Sequence, residues 1–239
     1  MIHVLLPSEQ RYIITKIVQN MQSSFKFYLS GLRMCLYCFF ALPWVLHAQS
    51  LALASTWNLA STSKNVTVYQ RETQNNQLAV RGIAQLHSTK KAFLQLLDDT
   101  KRAPLWIANC REVTILSSDK NNIRIVHSKF DAPWPIRDRD MVTKSVSYYQ
   151  HNILFIDIID VGEQYPQTEG YVRMQQVNGQ WKLFPAPNGL LTIEYTGRAD
   201  PAGKIPTWLA NRTLISSVRE TFENIVQQLD NSTEPSPDL

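Results

Sequence analysis

The stretch Asp131-Ala-Pro-Trp-Pro-Ile-Arg-Asp-Arg-Asp140 carries the strongest local signal in this chain. Two prolines flank Trp134, so the backbone is restricted there and an aromatic side chain is held on a loop. Two Arg-Asp pairs follow, and the residues after them turn β-branched and aromatic. The run therefore reads as a loop that joins strands over 122–130 and 141–149.

Working outward, strand texture recurs at 66–71, 78–86, 112–116, 153–161, 170–177, 181–184 and 190–198, with short polar connections between consecutive runs. Asn178-Gly179 reads as a two-residue hairpin turn, because both residues tolerate positive φ. Strands joined so tightly form a mostly antiparallel meander. The period changes between residues 89 and 97: Thr89 is an N-cap candidate, and Phe93, Leu96 and Leu97 lie on one helical face. Pro104 breaks that helix, and 105–110 reads as a second short helical turn. The chain closes with a long helix, for which Pro206 suits the first turn. Its apolar stripe is Ile215, Val218, Phe222, Val226 and Leu229. One long helix with one apolar stripe, after a curved antiparallel sheet, predicts that the sheet wraps the helix.

The chain has 239 residues, 44% of them hydrophobic and 18% charged, which suits one globular domain with a sizeable core. Its formal charge of +4 is concentrated at the start, where residues 1–48 hold four basic residues and one acid. The rest is nearly neutral, which argues against nucleic acid as a partner. Lys26 and Arg33 precede an apolar run over 34–46 that is too short for a comfortable membrane span but matches a signal-peptide core. We expect a leader over 1–54 with cleavage near residue 48 or 54, hence export, in a periplasmic setting. An uncleaved N-terminal anchor is the alternative. Residues 231–239, with two prolines, are expected to be disordered. Cys35 and Cys38 fall in the leader, which leaves Cys110 without a partner and expected to be buried and inert.

Three pieces, in order, give the chain its resemblance to the START (StAR-related lipid transfer) domain family, over about residues 66–229. Phe93-x-x-Leu96-x-Asp98, followed by Pro104-x-Trp106, resembles a "D…P.W" pattern of the family. The run 132–142 is similar to its "P.P…RD.V" loop. Gly170-Tyr-Val-Arg173, Trp181, Tyr195 and then Asp200-Pro-Ala-Gly-Lys-Ile-Pro-Thr-Trp-Leu-Ala-Asn211 is similar to its "DPGG.IP.WL.N" approach to the last helix. Ala202 replaces the first glycine of that run, a departure expected to matter little. The resemblance implies an α+β helix-grip fold for residues 55–230. A curved antiparallel sheet would wrap the C-terminal helix, with an internal lipid-binding cavity between them. It also implies binding, transfer or sensing of a hydrophobic ligand by a monomer, without catalysis and with transient membrane contact.

Candidate cavity or lid residues are Trp106, Trp134, Arg173, Glu194, Tyr195, Trp208 and Phe222. Trp134 either covers the ligand or meets a membrane surface, or else plugs one end of the core. Arg137, Asp138, Arg139 and Asp140 read as an ion-pair knot, structural for Arg139 and Asp140. Arg173 points either into the cavity, with Glu194 or Asp157 as partner, or to solvent. Trp208 either gates the tunnel or belongs to the core. Two alternatives to a carrier remain: an enzyme of the helix-grip class, a hydrolase or cyclase using Arg173, Glu194 and Asp157, and a peptide-binding module. No cofactor or metal is expected, since the histidines are scattered and no CxxC pair, phosphate loop or GxSxG elbow occurs.

Overall fold

The computed structural model describes residues 56–73 and 77–230. The expected leader and the tail over 231–239 lie outside the described residues. Alternating side chains over ten stretches build one sheet. Its strands are β1 (Asn58–Thr62), β2 (Val66–Glu72), β3 (Leu78–Leu86), β4 (Cys110–Ser118), β5 (Ile123–Phe130), β6 (Arg139–Gln150), β7 (Ile153–Asp160), β8 (Val172–Arg173), β9 (Gln175–Pro185) and β10 (Leu191–Asp200). The order across the sheet is β1-β2-β3-β10-β9-β7-β6-β5-β4, antiparallel throughout, with β8 added in parallel to the start of β6. Three helices join it: α1 (Lys90–Asp98), α2 (Ala103–Trp106) and α3 (Thr207–Asp230). The helix-grip expectation is therefore met in its architecture.

α1 begins where Thr89 accepts a hydrogen bond from Ala92 N (3.1 Å), the N-cap read from the sequence. Pro104 does not end a helix; it sits in the first turn of α2, where its missing N–H costs nothing. The expected helical turn over 105–110 shifts accordingly, since α2 stops at Trp106 and Cys110 opens β4.

The hairpin expected at Asn178-Gly179 does not form, for both residues lie inside the unbroken strand β9. The tight two-residue turn falls instead at His151-Asn152, where φ is 47° and 61° and Gln150 pairs with Ile153. Lys90 of α1 secures that turn, donating to Asn152 Oδ1 at 2.9 Å and to the Asn152 carbonyl. β1 has no counterpart in the sequence reading.

Register sorts the sheet into two faces. Leu154, Leu183, Ile193, Ala84 and Val66 stand opposite one another across β7, β9, β10, β3 and β2, and all are buried against the helices. This concave face receives Val218, Phe222, Ile225 and Leu229 of α3 and Phe93 of α1. A row of rings crosses the centre, with Trp181 5.2 Å from Phe93, 5.6 Å from Phe222 and 4.7 Å from Tyr195 between centroids. Gly82 makes the closest helix approach possible, because a Cβ there would lie 2.6 Å from the Phe222 ring.

Candidate functional site

α3 makes its close backbone approaches to β1, β2, β3 and α2 and none of comparable extent to β4–β7. A polar stripe on α3 holds the α2 side: Ser217 Oγ accepts from Asn109 Nδ2 (3.0 Å), and Thr221 Oγ1 accepts from Ala108 N (3.0 Å). Over β4–β7 the concave face carries Val113, Ile115, Val126 and Ile158, all only half-buried, beside Ser128, Thr143, Ser145 and Ser147 and the Arg124 side chain. Leu214 and Ile215 of α3 and Tyr195 of β10 are likewise partly open beside the packed core. The concave face is thus closed on one side and open on the other.

One end of this open side is bounded by the 131–138 loop and the 201–206 run that leads into α3. Arg139 ties the two together. Its buried guanidinium donates to the carbonyls of Pro201 (Nε, 3.3 Å), Ala202 (Nη2, 3.4 Å) and Arg137. The base of the 131–138 loop is fixed separately. Arg111 on β4 pairs with Asp131 and with Asp138 (3.0 Å), while Ala132 N donates to Asp138 Oδ1 (3.0 Å).

With its base pinned, the loop lifts Trp134 to 93% exposure, and Trp208 at the start of α3 is 66% exposed. Neither tryptophan plugs the core. Trp106 is buried beside α3, and Phe222 and Tyr195 belong to the ring row and its margin.

The expected knot among residues 137–140 takes another form, because Asp138 pairs with Arg111 and Asp140 with Arg173, both outside the run. Asp140, fully buried, accepts from Arg173 Nε (2.9 Å) and Nη2 (2.8 Å), and from Thr168 Oγ1 (2.6 Å). His127 Nε2 lies 2.9 Å from the same carboxylate. Burial by itself would raise this carboxyl, but the bonds from Arg173, Thr168 and His127 outweigh it and hold Asp140 below the usual carboxylate range.

Arg173 also donates to the carbonyls of Gly162 (2.8 Å) and Pro166 (2.9 Å), so it anchors the 161–171 segment against β6. Arg173 is accordingly paired with neither Glu194 nor Asp157 and does not face the concave side. Glu194 stands opposite Lys182 (3.8 Å) and Asp157 accepts from Gln180 Nε2 (2.7 Å), both on the convex face. Strand parity puts them there: Ile193 and Tyr195 face α3, so Glu194 cannot. The acid–base trio that an enzymatic reading needs is not assembled.

A cavity of about 300 Å³ opens between residues 160–164 and Gln175-Gln176, at the ends of β7 and β9, with a largely polar lining. It is not the apolar space expected between sheet and helix. Cys110 is buried and its thiol is pushed up to about 11 by burial, as suits an inert side chain.

Nothing in the sequence alone could have singled out His127 or Thr168, since their role depends on a segment folded back over β6. The glycine in Asn178-Gly179 was visible, but its use was not: a Cβ there would overlap the Tyr195 ring.

A curved antiparallel sheet closed by a C-terminal helix, open on one side and rimmed by the 131–138 and 200–206 runs, defines a lipid-binding fold. The START domain family model matches residues 45–235, and the chain belongs to that family. A Pseudomonas aeruginosa protein, PA1579, is 29% identical over 176 residues, covering 73% of this chain and 87% of that protein. Among solved structures, a STAR-related lipid transfer protein from Xanthomonas axonopodis superposes with a TM-score of 0.67 at 24% identity, covering 72% of this chain and 98% of that one. Human StAR-related lipid transfer protein 5 gives 0.65 at 14% identity, covering 95% and 100%.

Proposed function

We propose that the chain binds a hydrophobic, lipid-like ligand between the concave face of β4–β7 and α3, and carries or senses it without altering it chemically. The observation behind this reading is the unequal packing of α3, which leaves Val113, Ile115, Val126 and Ile158 half-buried among β5 and β6 hydroxyls while the β1–β3 side is closed. Half-buried apolar surface that a ligand can cover gains roughly 25 cal/mol per Å² on binding. Trp134 on the 131–138 loop and Trp208 at the start of α3, just after the 201–206 run that Arg139 ties to that loop, offer exposed rings suited to a membrane interface, where the ligand would be taken up and released. The name of the Xanthomonas neighbour, a lipid transfer protein, agrees with a carrier role.

Export by the leader over 1–54 is part of the proposal. N-terminal sequencing of the protein recovered from cells is expected to begin near residue 49 or 55. The central test is mass spectrometry of lipids extracted from the purified protein, together with uptake from vesicles. A defined lipid at close to one per chain supports the reading. Neither a co-purifying lipid nor any uptake would sink it.

A further inference from the structure

Seven arginines lie on strands of the sheet. Four of them meet acceptors: Arg111, Arg124 and Arg173 at carboxylates and Arg139 at three carbonyls. The other three, Arg71, Arg81 and Arg198, take no carboxylate, carbonyl or amide oxygen among the described residues, and these three are neighbours.

All three stand on the convex face, away from α3. Glu194 faces that way, so Thr196 and Arg198, further along β10 at the same parity, do too. Thr196 pairs with Arg81 on β3, and Arg81 pairs with Tyr69 on β2, two residues before Arg71. Arg71 stands opposite Ala79, and Arg198 follows Gly197, the partner of Val80, so these two arginines flank Ala79. An alanine is too short to separate their guanidinium groups. With strands about 4.8 Å apart, the two Cα atoms are about 10 Å from each other, within reach of two arginine side chains turned toward one point.

Trp57 and Tyr69 hold two of the guanidinium planes. Arg71 lies 4.5 Å and Arg81 5.1 Å from the centre of the Trp57 ring, and Arg81 lies 4.8 Å from that of Tyr69. Stacking engages the face of a guanidinium and leaves the N–H groups at its edge. Even the shielded Nε–H of Arg81 has no partner among the described residues, so no internal acceptor competes for this group. The carboxylates nearby are turned elsewhere. Glu194 stands by Lys182 (3.8 Å), Asp157 accepts from Gln180 (2.7 Å), and Asp200 accepts from Ala202 N (2.8 Å). Glu72, next to Arg71, points to the opposite face. Three uncompensated cations on one patch of a rigid sheet attract an anion. Two guanidinium forks saturate a carboxylate, whereas three suit a group with three oxygens.

We infer that Arg71, Arg81 and Arg198 form a phosphate-binding site on the outer face of β2, β3 and β10. It takes a phosphomonoester, either free in solution or as the headgroup of phosphatidic acid. The site lies on the other side of the sheet from the concave face, so it stands or falls independently of the lipid-binding reading.

Isothermal titration of the full chain with glycerol 3-phosphate is expected to show one saturable site, for which inorganic phosphate competes. Arg81→Gln is expected to weaken binding about tenfold or more, the range that hydrogen bonds to a charged group supply. Lys64→Gln, which removes the same charge from the exposed turn between β1 and β2, is expected to leave it unchanged. Flotation with phosphatidylcholine vesicles, with and without phosphatidic acid, separates the two sources. Flotation that needs phosphatidic acid and is lost in Arg81→Gln supports the site and assigns the headgroup. Saturable titration without such flotation supports it and assigns the free phosphomonoester. Binding in neither assay, glutarate or polyglutamate bound as tightly as the phosphate, or equal weakening in Lys64→Gln each overturns the inference. Should Arg81→Gln fail to fold, Arg198→Gln, whose guanidinium stacks on neither ring, decides by the same titration.

Discussion

Where α3 crosses β2 and β3, Gly82 admits the Phe222 ring to the sheet surface, and Val68, Val80 and Ile225 are sealed off from water. Over β4–β7 the same helix stands away, and Val113, Ile115, Val126 and Ile158 remain half-open. Both sides belong to one curved sheet; the first is apolar and the second mixes aliphatic side chains with the hydroxyls of Thr143, Ser145 and Ser147. They differ in what closes them. The first is filled by the chain's own aromatic rings, and the second is where the proposed ligand would lie. Rim architecture follows the same division. Its polar pins, Arg111 and Arg139, hold the runs at the open side by hydrogen bonds and ion pairs, while Arg173 holds the 161–171 segment behind them on the outer face of β6.

The largest effects should come from removing a pin or a ring that cannot be replaced. Arg173→Ala strands the buried Asp140 carboxylate, and about 3–5 kcal/mol of stability is expected to be lost in urea unfolding. Phe222→Ala empties the closed side at a similar cost of about 3–5 kcal/mol. Ile115→Ala on the open side should cost less than half of that and weaken lipid retention instead. Equal losses at the two positions would erase the distinction between the sides.

Asp140 gives the rim an acid limit. Its folded carboxyl lies below its unfolded value, so the pin's contribution is fully present above the unfolded value of about 4. It drains away as pH falls through the folded one. Urea midpoints measured from pH 6 down to pH 2 should fall steeply in the wild type and more gently in Asp140→Asn, which starts from a lower stability.

A double change, Trp134→Ala with Trp208→Ala, should leave stability within about 0.5 kcal/mol, because both rings are exposed. Vesicle binding in a flotation assay should drop severalfold. Ala202 supplies the smallest effect. Its φ of 54° lies in the left-handed region that glycine occupies freely, so Ala202→Gly is expected to raise stability by about 0.5–1 kcal/mol in thermal melts. The departure from the family pattern at this position therefore places an alanine in a backbone region that favours glycine.

Much of the fold was legible locally. The N-cap at Thr89, strand β3 at 78–86 and the stripe on α3 depend on neighbours a few residues away, and the periods of 2 and 3.6 report them directly. The misread elements needed distant information. Asn178-Gly179 has the composition of a turn, yet its glycine serves a ring on the neighbouring strand. The real turn at His151-Asn152 lacks glycine and is secured by Lys90, sixty-two residues away in sequence. Arg173 was read as pointing either into the cavity, with a carboxylate partner, or to solvent, and it does neither. Which carboxylate it takes depends on a parallel pairing of β8 with β6 that no local pattern announces.

By itself, the sequence determined the class of fold, most of the strands between β2 and β10 and the two motif runs that mark the family, because periodicity and turn chemistry are short-range properties. Only the tertiary structure decided which face each side chain occupies, how Arg139 joins those two runs, and which half of the concave face α3 leaves open. Strand register and helix placement are set by contacts between residues far apart in the chain, and a shift of one residue in register would exchange every inward side chain for an outward one.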